Sequence, residues 1–342
     1  MKPTAKSLLA LGLALALVAA VAACGSSGGS GTVKASAIPS KPEPGVIRMG
    51  IEPWIGYGPW YIAEQKGYFK KNGIDVKIIN FSTDAERESA FVSGKTDVSN
   101  MPTHAALLFE QQGVAAKVAL LEDESLTADA VLAKPPVTSI KDLKGQKVGY
   151  EEGTTSDILI HYALAQNGMS ATDIQKVPTP AADVGNALLA GKLGAGVTYE
   201  PYITAVLDAN KGFKRIYNAG VDPGLISDVL VAHNSMIDND PGQIEALVKS
   251  WQEAIQFYNS HTAEAQAIIT KADGAKPGSL TTSFKGVKLY SVPQNGNLLT
   301  GTFATKTAVE VRNAALEAGY LKDKVNPSAI IQPAFVEAAN QR

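Results

Sequence analysis

Cysteine is almost absent from this chain of 342 residues, which contains one, Cys24. A lone cysteine excludes an intramolecular disulfide and a thiolate metal site. Histidine is sparse as well: His104, His161, His233 and His261 are scattered, with no HExxH or comparable ligand spacing, so no metal site and no cofactor is expected. Charge of one sign is lacking too. The formal net charge is -2 and no basic block interrupts the sequence, which argues against nucleic acid as a partner. No G-x-S-x-G elbow and no nucleophile–base motif occurs, and the only Gly-rich run, Gly25 to Gly31, offers no phosphate-cradling loop. Catalysis is therefore not expected.

Long hydrophobic runs are rare, and the one near the start is informative. Lys2 and Lys6 precede an apolar run from Leu8 that closes in Val21-Ala22-Ala23-Cys24. It is shorter than a typical membrane span and ends in small residues, the pattern of a cleaved export signal. Residues 1–24 are thus expected to be a signal peptide. The Gly/Ser run and the aperiodic stretch that follows predict a flexible tether over 25–45.

The remainder is rich in alternating strand and helix patterns, and its length suits two domains. The stretch Gly50 to Ile74 organises them. Val46 to Ile51 reads as a strand, Pro53 to Gly58 as a loop of Gly, Pro and aromatics, and Pro59 as the first position of a helix. Trp54, Tyr57 and Trp60 beside a helix start could supply ring faces and N–H donors to a small ligand, or could equally be core. Further strands are predicted at 74–79, 96–99, 117–121 and 130–133, with helices from Ser82–Asp84 and from Pro102–Thr103 between them. After Pro135-Pro136 the grammar restarts: strands at 146–150, 174–177, 195–198 and 215–217 alternate with helices at 154–167, 181–190 and 201–210. An apolar strand at 229–232 then leads into helices at 242–258, 262–272 and 304–318. This order predicts α/β architecture with parallel sheets, one α/β lobe (133–225) inserted in another (46–132 and 226–342). Two crossings, near 130–135 and 225–232, would form a hinge, with a cleft at the carboxyl ends of the strands.

The ordered segments "GPWYIAEQKGYFKKNGIDV", "FVSGKTDVSN", "IKDLKGQKVGY", "ALLAGKLGAGVTYEPY" and "ISDVLVA" resemble the solute-binding lipoproteins of ABC importers. They are similar to the nitrate/sulfonate/taurine and thiamine-precursor-binding group, over nearly all of residues 46–342. The run ending directly in Cys24 likewise resembles a lipobox, whose cysteine is lipidated and becomes the mature N-terminus. One departure is Gly194, where the family often carries an acidic residue. The resemblance implies a type II-like periplasmic-binding-protein fold and a monomer held on the outer face of the cytoplasmic membrane, or in the periplasm, by lipidated Cys24. It also implies an ABC permease and ATPase as partners.

Mapped onto this chain, the family's cleft positions are Glu52, Trp54, Tyr57, Gly58, Thr83 and Thr103 on the first lobe. The second lobe offers Glu151, Thr154, Thr155, Tyr199 and Glu200, and Asp228 stands at the hinge. Helix starts suit anionic headgroups such as sulfonate or nitrate. The candidates nevertheless hold four acids and no arginine except nearby Arg87, which its helix could turn outward. Buried carboxylates need partners, and a ligand cation can be one, so the residues lean toward an amine or aminopyrimidine, or a zwitterion such as taurine. Two other classes compete. Relatives of this fold that make a pyrimidine themselves carry a cysteine-rich iron motif, which one cysteine cannot supply; a surface sensor or adhesin would share the lipobox and the cleft.

Overall fold

The computed structural model describes residues 30–209 and 211–342. The expected signal peptide and Cys24 lie outside the described residues. The first lobe opens with β1 (Val46–Ile51), which pairs in parallel with β2 (Asp75–Asn80) from Val46↔Asp75 onward and with β3 (Val98–Pro102). Between them lie α1 (Gly58–Lys66), α2 (Tyr68–Lys71) and α3 (Asp84–Val92); α4 (Thr103–Gln112) follows β3. Thr83 caps α3 by accepting the Glu86 N–H, and Asp84 and Glu86 place negative charge in its first turn. Then β4 (Ala116–Ser125) leads over residues 126–128 into β5 (Asp129–Ala133) and the second lobe.

There β6 (Lys147–Tyr150), α5 (Thr155–Gln166), β7 (Gln175–Pro178), α6 (Ala181–Leu189), β8 (Ala195–Tyr199), α7 (Tyr202–Asp208) and β9 (Lys214–Asn218) follow in order. The chain returns through β10 (Ser227–His233), then α8 (Asn234–Asn239), α9 (Pro241–Ser260), α10 (Thr262–Ala272), β11 (Val287–Leu289), α11 (Val292–Leu298), α12 (Ala308–Glu317) and α13 (Ala334–Gln341). Two sheets result, ordered β11-β4-β10-β3-β1-β2 and β7-β6-β8-β5-β9. They make a mixed α/β fold of two lobes with a cleft between them.

Three sequence expectations are corrected here. The sheets are mixed rather than parallel: β10 runs antiparallel to β3 and β4, and β5 antiparallel to β8 and β9. One crossing carries the chain out and the other brings it back, so the crossing strands must oppose each other. Second, β5 belongs to the second sheet, so the first crossing lies before Asp129 and not at 130–135. The two crossings are stitched together by Ser125 N–H to Ile226 O (2.9 Å) and Gly220 N–H to Leu126 O (2.5 Å). Third, residues 30–45 are no free tether. Ile38 is buried, Gln332 Nε2 donates to Gly31 O (3.2 Å), Gln243 Nε2 to Glu43 O (2.8 Å), and Arg342 Nη2 to Ile38 O (2.7 Å). Side-chain amides and a guanidinium satisfy backbone carbonyls that a sequence pattern cannot see.

Candidate ligand-binding site

At the carboxyl ends of β1, β3, β6 and β8 the two lobes meet around a cavity lined by Glu52, Trp54, Tyr57, Asp84 and Pro102 of the first lobe. Asp129, Thr155, Ser156, Ala181 and Tyr199 of the second complete it, with Ile226 and Asp228 from the returning crossing. The free volume is about 20 Å³, near that of one water molecule. The lobes are drawn together, and the rings of Trp54 and Tyr199 touch across the gap edge to face, with centroids 6.0 Å apart; Tyr202 stands against Tyr199 at 5.2 Å. A solute of several heavy atoms would have to part these rings to enter.

The aromatic loop divides between the two sequence readings. Each ring is buried, and each gives its polar hydrogen to a carboxylate on a crossing strand. Trp54 Nε1 donates to Asp123 Oδ2 (3.2 Å), the Tyr57 hydroxyl to Asp228 Oδ1 (2.9 Å), and Trp60 Nε1 to Glu122 Oε1 (2.7 Å). Asp123 and Asp228 are direct partners in the β4–β10 register. Trp54 and Tyr57 thus face the cavity while resting on buried acids, whereas Trp60 is core, tilted against Trp251.

Arg87 points inward, not outward. It is fully buried and gripped by Glu52 through Nη1 and by Asp84 through Nη2, with Glu88 3.8 Å away. The cause lies in helical spacing: Asp84, Arg87 and Phe91 fall at i, i+3 and i+7, one face of α3, and Phe91 faces the core. That spacing was the available signal.

Other expected positions separate. Glu200 is buried inside the second lobe, accepting from Arg215 Nη2 (2.8 Å) and the Thr204 N–H (2.9 Å), and does not line the cavity. Glu151 caps the start of α6 by accepting the Ala181 N–H (2.9 Å). Thr154 caps α5, and Thr155 beside it reaches the cavity. Thr83 is taken up as the cap of α3. Thr103 binds Ser227 O (3.0 Å), tying α4 to the returning crossing. The glycines leave room for protein rather than ligand: a Cβ on Gly58 would lie 2.4 Å from Ile269, and one on Gly56 2.1 Å from Asp123.

Sequence reasoning missed Asp84, Asp123 and Asp129. The run Glu122-Asp123-Glu124 at the end of an apolar strand was the clue, since consecutive strand residues alternate faces and these three cannot all reach water. Electrostatically the cleft is strained by acid. Burial pushes Asp129 up to about 8 and Asp228 up to about 6. Burial also raises Asp123 and Glu122, and nearby Asp228 adds to both effects. Glu52 is raised by burial too, against the pull of Arg87.

A sequence profile described as NMT1/THI5 like matches residues 54–265, well over half of the chain and most of both lobes. The chain belongs to the NMT1/THI5-like family. Within the span of that match fall nearly all the cavity residues. A binding protein of Brucella abortus is 25% identical over 245 residues, covering 71% of this chain and 76% of its own length. An aliphatic sulfonates-binding protein of Escherichia coli is 23% identical over 247 residues, with the same coverage. Among solved structures, the periplasmic nitrate-binding protein from Synechocystis superposes with a TM-score of 0.72 at 15% identity, over 88% of this chain and 89% of that one. The fold of this NMT1/THI5-like chain is that of the periplasmic binding proteins.

Proposed function

We propose that this chain is the extracytoplasmic binding component of an ABC importer. It captures a small nitrogen-containing cation in the cleft between its lobes and delivers it to a permease and ATPase complex. The binding proteins among its relatives support solute capture over catalysis. Anchoring by a lipidated Cys24 follows from the sequence pattern and belongs to the same proposal.

The observation that carries the charge of the ligand is the lining: four carboxylates, Glu52, Asp84, Asp129 and Asp228, and no lysine or arginine. Arg87 is already committed to two of them. A cation stacked between Trp54 and Tyr199 would meet ring faces and at least one unpaired carboxylate, whereas a bare anion would meet repulsion from every side of the first lobe. One observation favours a zwitterion within this class. Thr155 and Ser156, at the start of α5, face the cavity from the second lobe, where a helix start suits an anionic tail.

A thermal-shift screen against amines, guanidines, aminopyrimidines, taurine, methanesulfonate and nitrate tests this reading. A ligand at a hundredfold excess over its Kd stabilises by about 2.7 kcal/mol, easily seen. Stabilisation by cations or zwitterions is expected. Stabilisation by nitrate or methanesulfonate alone would show that the acids are not the recognition element.

A further inference from the structure

The cleft holds more acid than its basic groups can balance. Arg87 is shared by Glu52 and Asp84, Arg215 is bound to Glu200 (2.8 Å), and Lys288 to Glu124 (2.9 Å). Asp129 and Asp228 face the same cavity, and no salt bridge reaches either among the described residues. They stand at or next to the first residues of β5 and β10, the two strands entered from the crossings. Asp228 receives the Tyr57 hydroxyl, and Asp129 lies against Ser125. Two buried carboxylates held by neutral donors, Asp228 by Tyr57 and Asp123 and Asp129 by Ser125 alone, with no cation bonded to either, cannot both be ionised at low cost.

We propose that Asp129 carries a proton in the ligand-free cleft and releases it to water when a cationic ligand enters, so that capture and deprotonation are one linked event. This deepens the cation reading and rests on it. The exchange is acid–base only: the carboxylic acid of Asp129 loses its proton, and the ligand's positive charge takes over the role of balancing the carboxylate.

Burial and the neighbouring charges hold the proton on Asp129, and the Ser125 hydrogen bond opposes them without prevailing. Asp228 of β10, Asp84 of α3 and Glu200 after β8 are negative and hold the proton on. Asp123 of β4 is hydrogen-bonded to Asp228 and adds no positive charge. On α5, Asp157 is engaged by His161 at 3.2 Å; β8 sets Tyr199 opposite Asp129, while the cations of β9, Lys214 and Arg215, pair with the far end of β5 at Ala133 and Leu132, and Arg215 is bound to Glu200. Burial accordingly keeps Asp129 protonated up to about pH 8 and Asp228 only to about pH 6. Asp129 is therefore the member of the pair that still has a proton to give at neutral pH.

Calorimetric titration of the purified full chain with methylguanidinium tests this, because that cation stays charged throughout and any proton must come from the protein. Titrations near neutral pH in phosphate and in Tris, whose heats of ionisation differ, report the protons exchanged. Release of roughly 0.5–1 proton per ligand is expected, with affinity falling up to about tenfold for each pH unit below 8. Asp129→Asn, which keeps the side chain's shape, should still bind, more weakly, with no proton released. Binding with the same apparent enthalpy in both buffers overturns the exchange but leaves cation capture standing. If neither methylguanidinium nor any cation of the screen binds while nitrate or methanesulfonate does, the reading beneath it fails instead.

Discussion

Arg87 sets the charge balance on the first-lobe side of the cleft, because it is a fully buried cation with a carboxylate on each arm. Arg87→Gln removes the charge and leaves Glu52 and Asp84 buried without a cation. Breaking such a pair costs about 3–5 kcal/mol, which should appear as a lower urea midpoint with an unchanged slope. Glu200 makes the contrasting case. It caps the Thr204 N–H and binds Arg215, which is partly exposed. Glu200→Gln should cost about 1–2 kcal/mol of stability while leaving the affinity for methylguanidinium within a factor of about three, a difference below 1 kcal/mol. A tenfold weaker titration with unchanged stability would put Glu200 in the site after all. At this scale the sequence was legible for Trp54, Tyr57 and Tyr199, which stand between strand ends and helix starts, and for Asp228, which stands where the returning crossing enters β10. It was illegible where a partner lies far along the chain: nothing local tells that Glu200 meets Arg215 or that Glu52 meets Arg87.

Elements were more readable than partners, since period and capping are local. Most strands and helices from Val46 to Tyr258 fall close to their expected places. The short β11 and α8, and the helices α11 and α13, went unread because brief or polar-flanked segments carry little periodicity. The crossings also escaped correct placement: only residues 126–128 separate β4 from β5, and the polar residues from Glu122 to Asp129 hide the extended backbone on both sides of that join. Their mutual contact is tight. A Cβ on Gly220 would lie 2.7 Å from the carbonyl oxygen of Leu126 in the opposite crossing. Gly220→Ala should therefore push the two apart at a cost of about 1–3 kcal/mol, read from thermal melts. A neutral result would mean that the crossings slide freely past each other.

For the whole molecule, the buried acids make stability depend on pH in an unusual direction. Asp129 and Asp228 have folded-state values of about 8 and about 6, above the ordinary value near 4 for an unfolded aspartate. The native state then binds more protons than the unfolded one between about pH 4 and pH 8, so stability is fully present at the acidic end and is lost as pH rises through the folded values. The ligand-free protein should melt at a higher temperature at pH 5 than at pH 8, and a bound cation should narrow the gap. A melt that is flat or rises across that interval would contradict the buried-acid account. Anchoring belongs to this scale as well. Cys24→Ala should move the protein from the membrane fraction to the soluble one without changing its melting temperature. Persistence in the membrane fraction would rule out Cys24 as the attachment point.

The strapping of residues 30–45 onto the first lobe gives that anchor a geometry. From Cys24 to Ser30 is six residues, a leash of about 20 Å at full stretch, where an unattached chain as far as Gly45 would have reached about 70 Å. Arg342 clasps the same strap, so residues 30–45 and the segment after α13 belong to one jaw. With Cys24 lipidated as proposed, that jaw would be moored at the bilayer surface, and the second lobe would be the one left to swing. A protein held in that way would work as a hinged lid over a fixed basin, presented to the membrane from one side.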